Sequence, residues 1–231
     1  MYSTLEDIYR MKFYDAYNAE YYSERTRKSK KHMMKYMKLL RKGSSSLKML
    51  DVGCGEGYYV RDAIEEGIDA YGIDISTYAL ENALAEVKDR ISFGSITEIP
   101  FADEEFDVMT AFDVIEHILP KDTLNAIAEI RRVLKPDGIV IMTTPSSNFG
   151  AWVSDLTHIN VRPPKFWKLI LEEHDFKVRM FYVPSFLKYY MKNHIRVPDS
   201  IEFLVEEPLR YMLGRYYARK GRLHLVAKKP K

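Results

Sequence analysis

The chain has 231 residues, of which 46% are hydrophobic and 29% are charged, and its net charge is +2. A chain of this length buries a full hydrophobic core, so we expect one elaborated domain. The single cysteine, Cys54, excludes an internal disulfide and any multi-cysteine zinc site. No apolar run is long enough to span a bilayer and no signal sequence is recognisable, so we expect a cytoplasmic protein.

The first segment, residues 1–46, predicts an N-terminal helical segment: a tyrosine-rich start, a basic helix and a Gly-Ser linker. Residues 47–183 then alternate short apolar runs with stretches that repeat apolar residues every three or four positions. This alternation predicts a largely parallel sheet covered by helices. The predicted strands are 48–52, 69–74, 90–93, 106–112, 138–144 and 176–183. The predicted helices are 58–67, 76–89, 121–135 and 163–174.

Three local signals support these boundaries. Ser76 is a suitable N-cap for the second helix. The segment 135–138, Lys-Pro-Asp-Gly, is expected to end the third helix and turn into the next strand. Residues 184–220 hold three prolines and many aromatic side chains and predict a small helical cap, after which residues 221–231 predict the last core strand and a tail.

The distribution of charge is uneven along the chain. Residues 1–48 and 188–231 are basic, whereas residues 49–187 are acidic. Solvated helix faces explain such a pattern. Basic ends that bind an anionic acceptor, a phosphorylated lipid carrier or a nucleic acid explain it equally well.

The loop at residues 53–57, Gly-Cys-Gly-Glu-Gly, follows a predicted strand and opens a helix. Glycine allows a sharp turn and lets a ligand approach the backbone. The spacing is G-x-G-x-G, whereas dinucleotide sites use G-x-G-x-x-G. Asp51 repels a pyrophosphate but orients an ammonium group, and Asp74, 21 residues after Gly53, accepts both hydroxyls of an unphosphorylated ribose. S-adenosylmethionine meets this description.

Five segments together resemble class I S-adenosylmethionine-dependent methyltransferases, the broad group that includes ubiquinone-biosynthesis O-methyltransferases and many small-molecule and glycan methyltransferases. They are LDVGCGEG (50–57), YGIDIS (71–76), GSITEIPFADEEFDVM (94–109), DVIEHI (113–118) and LKPDGIVIMTTP (134–145). The resemblance implies an α/β fold: a Rossmann-like, seven-stranded, mostly parallel sheet with an antiparallel last strand and helices on both faces.

The resemblance also implies a set of contacts to S-adenosylmethionine. Asp51 and the glycine loop line the methionine portion, and Asp74 binds the ribose. Where the family commonly has an aspartate beside a small residue, this chain has Ser95 and Ile96, so the adenine contact passes to a hydroxyl or a backbone N–H. The implied cofactor-binding residues are Asp51, Gly53, Cys54, Gly55, Asp74, Ile75, Ser95, Ile96, Phe112, Asp113 and, from the N-terminal segment, Tyr22.

Two histidines compete for the role of catalytic base. In ubiquinone O-methyltransferases an acid-x-x-Glu-His cluster is linked to a divalent metal, and Asp113, Glu116 and His117 match it here. The same pair packs without metal in other relatives, so we expect no metal. His158 lies in the loop after the fifth strand, three residues after Asp155, which would orient its ring; it is the other candidate base or acceptor contact.

We therefore expect an S-adenosylmethionine-dependent methyltransferase acting on oxygen or nitrogen of a small-molecule, glycan or lipid-linked acceptor. Aromatic and basic residues of the insert suit either such an acceptor or a homodimer interface. A nucleic-acid methyltransferase is disfavoured because DVIEHI replaces the Asn/Asp-Pro-Pro-aromatic signature of DNA base methyltransferases. The glycine spacing disfavours a nicotinamide oxidoreductase. A non-catalytic S-adenosylmethionine-binding protein stays open.

Overall fold

The computed structural model describes residues 46–145, 157–181 and 223–231. A seven-stranded sheet runs through them, with strand order β3-β2-β1-β4-β5-β7-β6. The strands are β1 Lys48–Val52, β2 Asp69–Asp74, β3 Ile91–Phe93, β4 Phe106–Phe112, β5 Leu134–Thr144, β6 Lys177–Phe181 and β7 Leu223–Lys228. The described α-helices are α1 Tyr58–Glu65, α2 Thr77–Glu81, α3 Thr123–Val133 and α4 Pro164–Glu173.

The strand directions confirm the predicted fold. Strands β1 to β5 pair in parallel, whereas β7 runs antiparallel to both of its neighbours, β5 and β6. The chain leaves β1 for β2 on one side and later returns to β4 on the other side. Such a reversal opens a crevice at the carboxyl ends of β1 and β4, where α/β proteins bind ligands.

Two hydrophobic clusters lie on opposite faces of the sheet, because alternate residues of each strand point to opposite sides. In β1, Leu50 belongs to the larger cluster and Met49 to the smaller one. Helices α3 and α4 cover the larger cluster, and the fully buried Trp167 of α4 lies within it. Helix α1 covers the smaller cluster through Tyr59 and Val60.

Strands β1, β2 and β4 have the predicted bounds, but the predicted helix 76–89 is wrong as a continuous element. Ser76 does cap it, since its Oγ accepts from the N–H of Ala79 at 3.2 Å. Helix α2 nevertheless ends at Glu81, and a separate 3₁₀ turn follows at Ala85–Val87. The N–H of Leu84 donates to the carbonyl of Glu56 at 3.0 Å, so a contact with the glycine loop replaces the helical hydrogen bond.

The predicted turn at 135–138 is present, but it lies inside β5 instead of before it. Leu134 already pairs with Phe106, and the register shifts before the next pair, Val108 with Ile139. Asp137 has a φ of 64°. Helix α3 accordingly ends at Val133, two residues earlier than predicted.

The predicted N-terminal segment and the predicted cap at 184–220 lie outside the described residues, apart from Ser46. Within the described part of the chain, no helix is both long enough and apolar enough to cross a membrane.

The loop between β3 and β4 is fastened to α3 by Arg132. Its Nη1 donates to the Phe101 carbonyl and to Asp103 Oδ1, each at 2.8 Å, and its Nη2 donates to the Ile99 carbonyl at 2.9 Å. Glu129 accepts from the same guanidinium at 2.7 and 2.9 Å, and this hydrogen bond lowers the pKa of Glu129. One side chain thus holds the segment that leads from Ser95 to β4.

Replacing Arg132 with Lys is expected to lower the free energy of unfolding by about 1–3 kcal/mol. A single ammonium group cannot reproduce the planar donors that reach several oxygens at once. Arg131→Lys is the matched control, since Arg131 makes an exposed ion pair with Asp175 at 3.4 Å and its loss should change stability by less than about 0.5 kcal/mol. Chemical denaturation measures the free energy of unfolding of both variants. Similar losses of stability in the two would contradict the assigned role of Arg132.

Candidate active site

The glycine loop lies at the carboxyl end of β1, where the strand order reverses. Gly53, Gly55 and Gly57 have φ values of 72°, 56° and 85°, which glycine adopts without the strain other residues would feel. The N–H groups of Gly53 and Cys54 both donate to the Ile73 carbonyl, at 2.8 and 3.1 Å. The loop is therefore anchored on the end of β2.

The glycines of this loop serve different purposes. A Cβ added to Gly53 would lie 2.5 Å from Cγ2 of Val114, and one added to Gly57 would lie 2.6 Å from Cγ2 of Val87. Packing requires glycine at those two positions. No described atom lies within 4 Å of the corresponding point at Gly55, so the loop faces open space there. A ligand can approach the backbone at Gly55.

Asp74, at the end of β2, joins two loops. Its Oδ2 accepts from the N–H of Gly55, and its Oδ1 accepts from the N–H of Ser76, each at 2.8 Å. Each carboxylate oxygen has a second lone pair. A carboxylate in this place is the kind of group that accepts hydroxyl groups from a ligand beside Gly55. The structure brings together these two residues that the sequence predicted as ligand contacts.

Asp51, the other predicted carboxylate, is buried and bonded to the neighbouring strand. Thr110 of β4 lies opposite it in the sheet, and the Thr110 hydroxyl donates to Asp51 Oδ1 at 2.6 Å. This hydrogen bond restrains the orientation of the carboxylate. We did not predict Thr110; its signal is a hydroxyl within the otherwise apolar run Val108–Ala111.

Phe112 and Asp113 lie at the end of β4, next to the glycine loop. The Phe112 ring packs edge-on against Tyr59, with ring centroids 5.3 Å apart. Asp113 has a φ of 57°, and its Oδ1 accepts from the Thr143 hydroxyl at 3.0 Å. Its carboxylate is thus directed towards β5.

Two exposed apolar side chains lie beside Asp74: Ile75 follows it in the chain, and Phe93 is its partner on β3. Ile75 is 47% exposed and Phe93, which we did not predict, is 61% exposed. Large apolar side chains at strand ends suit a planar ring such as adenine. The Ser95 hydroxyl lies 2.7 Å from that of Thr97, and the Ile96 side chain is buried in the core, which leaves the backbone of Ile96 as its available ligand contact.

The two predicted histidines lie side by side. The ring centroids of His117 and His158 are 4.8 Å apart. His117 Nδ1 lies 3.0 Å from the Thr157 hydroxyl and 3.2 Å from the Thr157 carbonyl. Glu116 is fully buried beside them, and one donor atom from each of Glu116, His117 and His158 lies within 4.8 Å of the others. We call these three residues the Glu-His-His cluster.

Asn160 holds the two segments of the Glu-His-His cluster together. Its N–H donates to the Glu116 carbonyl at 2.8 Å, and its Nδ2 donates to the Ile115 carbonyl at 3.2 Å and to the Thr123 hydroxyl at 3.0 Å. Its own side chain is buried. No sequence pattern marks Asn160, because its role depends on how two distant loops pack.

Tyr22 and Asp155 lie outside the described residues, so their proposed contacts stay predictions.

Comparison with known proteins shows what part of the chain is similar to. Residues 50–142 match the family described as a methyltransferase domain. The chain is 32% identical over 129 residues to the ubiquinone biosynthesis O-methyltransferase of Histophilus somni (strain 2336), which covers 52% of this chain and 53% of that protein. The chain thus spans about half the length of the curated relatives it matches.

Solved structures share the fold along most of the chain. A SAM-dependent methyltransferase from Archaeoglobus fulgidus superposes with a TM-score of 0.67 at 18% identity, covering 94% of this chain and 100% of that one. Phosphoethanolamine N-methyltransferase 2 of Haemonchus contortus, in complex with S-adenosyl-L-methionine, superposes with a TM-score of 0.59 at 23% identity. The match covers 84% of this chain and 51% of that one. These likenesses confirm the predicted fold, and the family match shows that residues 50–142 resemble a methyltransferase domain.

Replacing Asn160 with Ala is expected to lower the free energy of unfolding by about 1–3 kcal/mol, because the buried Ile115 carbonyl and Thr123 hydroxyl lose their donor. Asn125→Ala is the control, since Asn125 donates to the Thr97 carbonyl at an exposed site and its removal should change stability by less than about 0.5 kcal/mol. Denaturant titration of both variants measures the difference. A negligible loss of stability in Asn160→Ala would contradict the role of Asn160 in holding the two segments together.

Proposed function

We propose, from the premise that residues 50–142 match the methyltransferase domain family, that this chain transfers a methyl group from S-adenosylmethionine to oxygen or nitrogen of a small-molecule, glycan or lipid-linked acceptor. One observation carries the proposal. The Asp74 carboxylate holds the N–H groups of Gly55 and Ser76 at the edge of an open space, with Asp51 at the end of the adjacent strand.

The charges of this pocket suit the cofactor. Ribose hydroxyls donate to the Asp74 carboxylate, and the ammonium group of the methionine portion pairs with Asp51. The adenine ring packs on Ile75 and Phe93, whose side chains are exposed. A dinucleotide would bring its pyrophosphate close to Asp51, where the two negative charges repel each other.

Methyl transfer is a direct displacement and needs no covalent intermediate with the protein. A lone pair of the acceptor forms a bond to the methyl carbon while the carbon–sulfur bond breaks. The electron pair of the broken bond stays on the sulfur, which becomes a neutral thioether. Alignment of acceptor and methyl group and exclusion of water lower most of the barrier. A hydroxyl or protonated nitrogen must also lose a proton.

The Glu-His-His cluster is our candidate for the group that accepts this proton. Val114 lies against Gly53, so the segment that carries Glu116 and His117 starts next to the glycine loop. We propose His158 as the proton acceptor, oriented by His117 and Glu116. The names of the relatives fit this chemistry, since one is named a ubiquinone biosynthesis O-methyltransferase and another a phosphoethanolamine N-methyltransferase. The acceptor of this chain is proposed only at the level of its class.

Replacing Asp74 with Ala is expected to weaken binding of S-adenosylmethionine by about 2–4 kcal/mol, roughly 30- to 1,000-fold, because two charge-assisted hydrogen bonds are lost. Asp69→Ala is the control, since Asp69 begins the same strand and pairs with Arg90 far from the pocket. Isothermal titration calorimetry with the cofactor measures both dissociation constants. An unchanged constant for Asp74→Ala would exclude the ribose assignment.

Replacing His158 with Ala is expected to lower turnover by about 100-fold or more while cofactor affinity changes little, as removal of a general base does. His174→Ala, at the end of α4, should leave turnover unchanged. The assay follows transfer of a labelled methyl group into extracts separated into nucleic acid, lipid, glycan and small-molecule pools. Equal losses of turnover and cofactor affinity would indicate a structural role for His158.

A further inference from the structure

We propose that Arg162 binds an oxyanion of the methyl acceptor, a carboxylate or a phosphate, and so selects small acceptors that carry a negative charge. This inference rests on the proposed function, because the acceptor belongs to the methyl-transfer reaction. Arg162 lies in the loop after β5, two residues after Asn160 and directly before the two prolines at the start of α4.

Two contacts hold the Arg162 guanidinium in place. Its Nε donates to Asn160 Oδ1 at 3.1 Å, and its Cζ lies 5.5 Å from the centroid of the Phe166 ring, within the range of a cation–π contact. Asn160 is itself buried and bonded through Nδ2 to the Ile115 carbonyl and the Thr123 hydroxyl. The planar group is therefore restrained before a ligand binds, which reduces the side-chain entropy lost on binding.

The outer edge of the guanidinium suits a ligand with two oxygens. Asn160 uses only Nε, and Nη1 and Nη2 donate to no atom of residues 46–145, 157–181 and 223–231. These two nitrogens present parallel N–H donors along one edge of the plane. Such an edge binds both oxygens of a carboxylate or phosphate at once.

Arg162 differs from the other arginines whose side chains the structure describes. Each of the others pairs with a carboxylate: Arg61 with Asp62, Arg90 with Asp69, Arg131 with Asp175, and Arg132 with Glu129 and Asp103. Arg162 is half-buried and makes no ion pair with a described carboxylate. Partial removal of a cation from water is unfavourable, and the negative charge of a ligand would offset that cost.

Arg162 is close to the residues proposed to act on the acceptor. His158 is four residues earlier in the same loop, and the N–H of Asn160 donates to the Glu116 carbonyl at 2.8 Å. The guanidinium is thus joined through Asn160 to the Glu-His-His cluster. An acceptor held at its anionic end by Arg162 would have its hydroxyl or nitrogen positioned for the methyl group, and such positioning raises the rate of the reaction.

The charges around Arg162 favour a small acid over a nucleic acid. Lys165, in the first turn of α4, is exposed, and that turn has no acidic residue. Residues 49–187 as a whole are nevertheless acidic, whereas a nucleic acid needs several cations along its backbone. One oriented guanidinium suits a single carboxylate or phosphate group.

The test follows transfer of a labelled methyl group from S-adenosylmethionine by the full chain. The small-molecule pool of an extract is separated by ion exchange into acidic, neutral and basic compounds, and an RNA pool is assayed beside them. We expect the label in the acidic compounds. Part of the acidic pool is first treated with alkaline phosphatase and phosphodiesterase. Loss of labelling after this treatment would identify a phosphate ester as the bound group, and retention would identify a carboxylate.

Arg162→Gln is expected to lower labelling of the acidic pool at least about 10-fold at low acceptor concentration, because a charge-assisted bidentate contact is lost. Its dissociation constant for S-adenosylmethionine, measured by calorimetry, should match that of the parent chain. Arg162→Lys keeps the charge without the paired donors and should give intermediate labelling. Arg131→Gln is the matched control and should label as the parent chain does, since Arg131 makes an exposed ion pair with Asp175.

A higher concentration of the acidic pool should restore labelling by Arg162→Gln, because this variant loses affinity for the acceptor and keeps turnover. A loss that more acceptor does not restore would mean that Arg162 only supports Asn160, and would overturn the inference. Equal labelling by Arg162→Gln and the parent chain would overturn it too. Label in neutral compounds or in RNA would exclude a small anionic acceptor and leave methyl transfer intact. No label in any pool, from a parent chain that binds S-adenosylmethionine, would contradict the proposed function and this acceptor with it.

Discussion

The hydrogen bonds between the Asp74 carboxylate and the N–H groups of Gly55 and Ser76 determine the geometry of the pocket. They join the loop after β1 to the start of α2, so two segments that leave different strands are held together. Glycines in left-handed conformations leave an isolated loop with many accessible shapes. Fastening to Asp74 and to the Ile73 carbonyl selects one of these shapes. The backbone at Gly55 therefore has its conformation before any ligand binds. This reduces the conformational entropy that the loop loses on binding.

Asn160 joins two further segments, as Asp74 joins two loops. Asn160 ties the loop that carries His158 to the segment after β4 that carries Glu116 and His117. That segment in turn packs on the glycine loop through Val114. The strand order makes the arrangement possible, since β4 lies directly beside β1 and both end at the same edge of the sheet. The segments held by Asp74 and by Asn160 therefore lie at the same edge of the sheet, where methyl transfer is proposed.

Features decided within a few residues could be predicted from the sequence, whereas those decided by packing could not. The apolar runs of β1, β2 and β4 are bounded by Asp, Gly or polar residues, and their ends were predicted correctly. The spacing of Asp51 and Asp74 to the glycines predicts that both contact the cofactor, and this assignment stays a prediction. The break after α2 was missed because Leu84 bonds to Glu56, a residue far along the chain. The proximity of His117 and His158 depends on how two loops pack, and Thr110 matters only because β4 pairs with β1 in that register.

The antiparallel direction of β7 has a practical consequence. Because β7 runs against β5, Lys229 lies next to the start of that strand, where its N–H donates to the Gly138 carbonyl and its Nζ to the Leu134 carbonyl. Residues 229–231 thus lie at the opposite edge of the sheet from Gly55, and the Lys231 side chain is exposed. Coupling a fluorophore, an affinity handle or a sensor chip through Lys231 would orient the crevice towards bulk solvent. Surface-based binding measurements attached at that point would leave diffusion of ligands into the crevice unobstructed.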